Sequence, residues 1–458
     1  MTVQAGIPGM DRAALIAAAL LALSLILGGG GSPAPLLEIA LQGGVALAAL
    51  AILIAAPATI PQVPAAAWRI AALVVIIPLV QLIPLPPSWW QALPGRAAQL
   101  AALELSGPAD GWRALTLSPS RTLASLLAAL SAMLGLVLAA ALDRRGRYRL
   151  MATVAGIGVL SLLVGAAQLS GGAGNPFRFF DREQIFLTAF QANHNSTADL
   201  LLAAMLALAA WARHWLDRGT VQPSGWQLAA AVIVADGVMI LALVLAGSRA
   251  GIALLPIALV FQYLILQPDA RFNWAKAGLS AIGTLALGIA AFFVLRHNRA
   301  IEAIAGRFDF TGEFRVELWR DSLYALGQYW PAGSGQGTFV PVMMAVERLE
   351  VVDPTLPNRA HNDYLELLIG AGLPGALVIA AVGVLVLHAI WRALRQPPAG
   401  SRSQVLFATG TLVIMSVHSL VDYPLRSMAL AALTATAVGL LIPGRTIEPN
   451  DTTKGSHP

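Results

Sequence analysis

"NRAHNDYLELLIGAGLPGALV", Asn358 to Val378, begins polar and ends as a hydrophobic helix, with His361 where the character changes. Asp363 and Glu366 stand three apart, the spacing of an N-cap and its capping-box partner. That predicts a helix starting just after His361, with the imidazole on the last extended residues above it, close to water and to the positive end of the helix dipole. Histidine exchanges protons near neutral pH, so a ring placed there can take one from a hydroxyl. At about 100° per residue, Gly372 falls almost beneath His361, and Gly375 lies close to the same face. Small residues on that face serve either close helix packing or a smooth groove for a lipid chain. Pro374 is expected to kink the helix.

Working outward, the chain has 458 residues, 57% of them hydrophobic and only 12% charged. A soluble domain carries about a quarter charged residues, and here the apolar residues come in blocks of roughly twenty, enough to cross a bilayer as a helix. The fold class is therefore all-α, a polytopic membrane protein. Helices are read near 13–30, 36–57, 68–86, 121–142, 149–170, 195–213, 227–247, 250–267, 275–295, 363–392, 404–422 and 426–442, about twelve spans. Met1 to Arg12 leads straight into the first block, so that span is expected to be retained and not cleaved as a signal.

The basic runs "DRRGRYR" (143–149), "RHWLDRG" (213–219), "DARFNWAK" (269–276) and "WRALRQPPAGSR" (391–402) all fall on one face. The positive-inside rule makes that face cytoplasmic, with both termini. The opposite face receives 87–120, 171–194 and a large loop at 296–362, with Trp89 and Trp90 suited to the outer interface. The chain divides into 1–120, 121–295, 296–362, 363–445 and a cytoplasmic tail at 446–458. The net charge of +5 is scattered between spans without a basic stripe, which argues against nucleic acid. Absent cysteine excludes disulfides and thiolate metal sites. The outer loops lack a compact His/carboxylate cluster with ligand spacing, so no metal and no cofactor is expected. A synthetic reaction on the outer face lacks nucleotide sugars and calls for a donor activated beforehand, typically a lipid-linked diphosphate.

"HN", nine residues, then "GLPG" resembles the His–Asn/Ser–x9–Gly–x–x–Gly signature of the O-antigen ligase and polymerase superfamily. "NHNSTADLL" (193–201), "GSRAGIALL" (247–255), "RVELWRDSL…GSGQGTF" (315–339) and "HSLVDYPLRS" (418–427) resemble the family in the same order, so the likeness spans about 190 to 442. The resemblance implies a glycan transferase at the periplasmic face of a bacterial inner membrane. Its donor would be a glycan on undecaprenyl diphosphate; its acceptor, a hydroxyl of lipid A-core, a growing glycan or a similar molecule. It implies His361 as general base, Arg249 and Arg315 on the diphosphate, and Asn362, Arg320, His194 and Asn195 as further substrate contacts. Gly372 and Gly375 would line a groove for the polyprenyl chain, among membrane lipids. His418 and Asp422, four apart on one helix face, are spaced for a hydrogen bond and read with Arg426 as supporting residues.

"GSGQG" (333–337) is not a phosphate loop, since neither a preceding strand nor a GK[ST] ending is present; a tight turn near the site is expected. Ligase and polymerase share these residues, with the single large late loop favouring the ligase. Polyprenyl-phosphate-sugar transferases put catalytic acids in the first outer loop, which here reads "GGGGSPAP" (28–35). A twelve-helix transporter is the non-enzyme alternative, since "DRRGRYRL" (143–150) resembles a carrier loop motif, although at a different place in the helix order.

Overall fold

The computed structural model describes residues 10–30, 35–107, 110–171, 175–180, 186–219, 223–267, 283, 314–348, 350, 357–397 and 401–444. The long helices are α1 (Met10–Leu27), α2 (Pro35–Ala55), α3 (Ala65–Gln81), α6 (Pro119–Ala141), α7 (Arg144–Ser170), α8 (His194–Asp217), α9 (Gly225–Ala246), α10 (Arg249–Leu266), α13 (Asp363–Arg395), α14 (Arg402–His418) and α15 (Met428–Leu441). Shorter helices α4 (Pro87–Trp90), α5 (Ala97–Ser106), α11 (Phe314–Tyr329) and α12 (Phe339–Val346) lie in the connections. A two-residue antiparallel ladder, β1 (Pro84–Leu85) with β2 (Arg113–Ala114), closes the loop after α3. Among the described residues seven helices are long and apolar enough to span a membrane, and α3 and α15 are shorter apolar helices. The span expected at 275–295 lies outside the described residues except for Gly283, as do the tail at 446–458 and much of the 296–362 loop.

Burial sorts the bundle. In α8, 83% of the apolar window is buried, against 17% in α2, so α8 runs through the middle and α2 turns its leucines outward toward lipid. Around α8 pack α7, α10 and α14, while α6 pairs closely with α15. With lipid as apolar as the core, such association depends on tight van der Waals fit. A Cβ on Gly439 of α15 would stand 2.5 Å from the Leu136 carbonyl oxygen of α6.

Two expected boundaries move. The helix expected at 149–170 starts at Arg144, because Asp143 caps it by accepting from the Gly146 amide at 2.8 Å. The basic run is thus mostly the first turn of α7, and Arg147 is fully buried within it. Its Nε donates to the Leu142 carbonyl (2.8 Å), Nη1 to Leu440 (2.7 Å) and Nη2 to Ala140 (3.0 Å) and Ile442 (2.8 Å). One guanidinium therefore satisfies the open carbonyls at the C-terminal ends of both α6 and α15, which have no intrahelical partners. The helix expected at 404–422 stops at His418: the Asp422 amide closes a turn on the His418 carbonyl at 2.9 Å, and Pro424 follows.

At the end of the bundle where α8, α10, α13 and α15 begin, the described part of the 296–362 loop folds into α11 and α12 and builds a second core. Leu318, Ala325, Tyr329, Phe339, Val342, Met343, Leu365 and Ile369 form it, so the loop rests directly on the first turns of α13. Trp90 belongs inside as well, contrary to expectation: it is buried, donating to the Gly111 carbonyl at 3.0 Å, and Trp89 alone is exposed.

The expected kink in α13 falls two residues before Pro374, at Gly372, where φ is +55° and ψ −143°. The cause is a close approach of main chain: the Leu373 amide donates to the Pro331 carbonyl at 2.8 Å, and a Cβ on Gly372 would lie 2.1 Å from that oxygen. The reading of Gly372 as a groove is corrected accordingly, since the 331–333 turn occupies its face. Gly375 is buried too, against Leu367 and Ala371 of its own helix. "GSGQG" is that same turn, with the Ser334 and Gly335 amides donating to the carbonyls of Ile369 (3.0 Å) and Gly370 (2.8 Å). Gly372→Ala meets a forbidden backbone and an occupied space, and is expected to cost about 3 kcal/mol. An unchanged thermal midpoint for the purified variant in detergent would contradict this account.

Candidate functional site

His361 sits between the second core and α13 with φ +48°, a left-handed conformation uncommon for a side-chain-bearing residue. It is held from both sides. The Trp319 indole of α11 donates to the Ala360 carbonyl at 2.9 Å, and Asn362 caps α13 by accepting from the Leu365 amide at 3.0 Å. The N-cap is therefore Asn362 and not Asp363. Asn362 also donates to the Leu420 carbonyl at 3.0 Å, so it ties α13 to the α14–α15 turn.

Asp363 and Glu366 are released for another task. Both are buried, and both meet the Arg426 Nε, at 3.3 and 3.4 Å. Glu366 also pairs with Arg359 at 3.0 Å and accepts from the Ala360 amide at 3.1 Å. Arg426 thus braces the base of the site instead of standing beside Asp422.

The His361 ring turns toward the α14–α15 turn, where its Nδ1 meets Asp422 Oδ1 at 3.0 Å. Asp422 Oδ2 accepts from the Asn195 amide side chain of α8, and Oδ1 also accepts from the Tyr423 backbone amide at 2.9 Å. The Tyr423 ring packs edge-on to His361 with centroids 4.8 Å apart. Burial, and then the Asp422 charge, push the Tyr423 phenol up to about 12, so it remains a hydrogen-bond donor.

Burial alone would raise the Asp422 carboxyl. The hydrogen bond and charge of His361, then the charges of His418 and Arg315, outweigh that and hold it down at about 2. A lowered carboxylate contributes stability that is present above the unfolded value near 4 and is lost as pH falls through about 2. Wild-type protein should lose about 2 kcal/mol more than Asp422→Asn between those two values. Parallel pH-stability curves for the two proteins would contradict the pairing.

The expected bond between His418 and Asp422 is not formed: Nε2 to Oδ2 is 4.0 Å. His418 instead joins Asp199 of α8, Nδ1 to Oδ1 at 2.6 Å, with both side chains fully buried. The line His361–Asp422–His418–Asp199 thus runs from the rim into the core. Asp199 was missed in the sequence. Its signal is an acid five residues into an apolar helix, where an ionisable group is costly and functional by default.

The charge of Arg315, near the start of α11, acts on both Asp422 and His418, which brings Arg315 to the same cluster. Arg249 is half-buried in the first turn of α10, after Ser248, whose hydroxyl accepts from the Gly251 amide at 3.0 Å. A Cβ on Gly251 would stand 2.5 Å from the Ala198 Cβ, so the first turns of α10 and α8 abut and Arg249 lies at the Asn195 end of the bundle. Asn193 caps α8, accepting from the Asn195 amide at 2.9 Å. Asn195 is buried and committed to Asp422, whereas the His194 ring packs against Phe186 with centroids 5.0 Å apart and planes tilted by 35°. Arg320 is exposed, about 140° around α11 from Arg315, and beside Glu317; it does not join the cluster.

A buried carboxylate bound to one imidazole nitrogen fixes the ring and its tautomer. Arginines nearby suit a phosphate-bearing partner. No curated protein matches the chain. Residues 234–380, about a third of it, match a family model described as O-Antigen ligase. The matched stretch contains Arg249, Arg315, His361, Gly372 and Gly375 and leaves Asn195, Asp199, His418 and Asp422 outside. Over that stretch the chain is similar to the O-antigen ligase family.

Proposed function

We propose that the chain transfers a saccharide from undecaprenyl diphosphate to an acceptor hydroxyl, on lipid A-core or a similar glycan, at the periplasmic face of a bacterial inner membrane. The observation that carries this reading is the His361–Asp422 pair, within reach of the Arg315 charge, with His361 and Arg315 inside the stretch that matches the O-antigen ligase family model. Asp422 accepts the Nδ1–H, which makes Nε2 the proton-accepting nitrogen of the ring. Nε2 takes the acceptor's proton as its oxygen bonds to the anomeric carbon. The bond from that carbon to the diphosphate oxygen breaks on the opposite face, which inverts the centre. Asp422 supports the imidazolium that forms, and Arg249 with Arg315 neutralises the charge gathering on the diphosphate.

The twelve-span topology goes with this reading. Arg144, Arg145, Arg213, Arg218 and Arg402 lie where α7 and α14 begin and α8 ends, at the end of the bundle away from His361, and the positive-inside rule supports reading that end as cytoplasmic.

The test is a strain lacking the protein, complemented with wild type or His361→Gly, its surface glycans separated by size. Loss of capped lipopolysaccharide with lipid-linked polymer accumulating supports the ligase. Single repeats alone would assign polymerisation by the same chemistry instead. Unaltered glycans would end both readings.

A further inference from the structure

Away from the His361 site, α7 starts and α8 ends around a cavity of about 340 Å³ lined by Asp143, Arg144, Arg145, His214, Asp217 and Arg218. That volume lies within the ordinary range of small-ligand pockets, about 300–1,000 Å³. One wall is aromatic: the His214 ring stacks on Tyr148 with centroids 3.7 Å apart and planes 26° apart. The Tyr148 hydroxyl is anchored behind that wall by Ser401 at 2.7 Å and Ser403 at 2.9 Å.

The charges are not balanced within the cavity. Its two acids are already engaged, Asp143 as the cap on the Gly146 amide and Asp217 with the Arg213 guanidinium. Among the described residues, Arg144, Arg145 and Arg218 form no ion pair with a carboxylate, and the His214 Nδ1 is buried without a hydrogen-bond partner. The α7 N-terminus adds its dipole on the same side. Three guanidiniums, an imidazole nitrogen and a helix N-terminus converge on one space, and the two carboxylates that line it are turned to other partners.

Position decides the ligand. α8 carries Asn195 at its start and His214 near its end; its 24 residues span about 36 Å, roughly the thickness of a bilayer's hydrocarbon core and inner margins. The cavity therefore lies at the depth of the headgroups of the leaflet opposite the His361 site. Exposed Trp211 and Trp215 on the same turns of α8 suit that interface. We propose that this cavity binds the phosphodiester headgroup of an anionic membrane lipid, gripped by Arg144, Arg145 and Arg218. The acyl chains run down beside α8, and the site is separate from glycan transfer. Basic pockets at the ends of membrane helices take such headgroups through charge and guanidinium–phosphate geometry.

The test uses the full-length protein in uncharged detergent and native mass spectrometry to count retained lipid. Dioctanoyl phosphatidylglycerol should be retained at least about tenfold better than dioctanoyl phosphatidylcholine. The combined Arg144→Gln, Arg145→Gln, Arg218→Gln variant should fall to the phosphatidylcholine level. Equal retention of both lipids by wild type overturns the proposal without reference to any variant. So does undiminished phosphatidylglycerol binding by the variant. Stripping of the lipid by excess inorganic phosphate would assign the cavity to a free anion and overturn the lipid reading as well.

Discussion

Glycan transfer from the lipid-linked donor should fall about 10³-fold in His361→Gly membranes, with the donor still bound. Glycine is the informative replacement because it adopts φ +48° without strain, so the turn survives while the imidazole goes. Added imidazole should then restore part of the lost rate; a ring serving only to pack against Tyr423 would not be replaced by one in solution. Asp422→Asn should lose about 10²-fold, since an amide can still meet Nδ1 but brings no charge to stabilise the imidazolium. The double variant should be no worse than His361→Gly alone, as expected for groups acting as one unit. Full additivity, or wild-type transfer in either single variant, would remove the dyad from the mechanism.

The largest stability effect is expected at Arg147. Alanine there leaves the carbonyls of Ala140, Leu142, Leu440 and Ile442 without their buried donor at the join of α6 and α15. Removing one partner from a buried charged network costs about 3–5 kcal/mol. The midpoint of thermal unfolding in detergent should drop by at least about 5 °C, or monodisperse protein should fail to appear. Arg147→Lys should recover little, because an ammonium cannot reach four carbonyls arranged around a planar fork. The exposed neighbour Arg145→Ala should stay within about 0.5 kcal/mol of wild type. An Arg147→Ala protein as stable as wild type would show that the carbonyls need no such donor.

The contrast between these two residues shows what the linear sequence carries. Hydropathy located the seven helices that are long and apolar enough to span, because a bilayer enforces length and apolarity on each segment separately. His361 was legible because an imidazole at a polar-to-apolar boundary is unusual in any one window. Its partner was not. Asp422 seemed paired with His418 by helical spacing, but the helix stops at His418, and only the tertiary turn carries the acid to His361. Asp199 is far from His418 in sequence and becomes its neighbour only when α8 packs on α14. Arg147 looked like one more topogenic charge, since no pattern in "DRRGRYR" distinguishes the arginine that turns inward from the three that face water or bind Asp11. Gly372 was misassigned for the same reason: the 331–333 turn that covers it is forty residues away in the chain.

The left-handed turn at His361 narrows the choice of residue before any chemistry is considered. Apart from glycine, the side chains that tolerate such a turn readily are Asn, Asp and His. Of these, only the last offers a neutral proton acceptor with a second nitrogen free to be anchored. The main chain thus acts as a filter on mutation at this position. Directed evolution toward other acceptors should find its freedom in the walls around the ring and hardly ever at the ring itself.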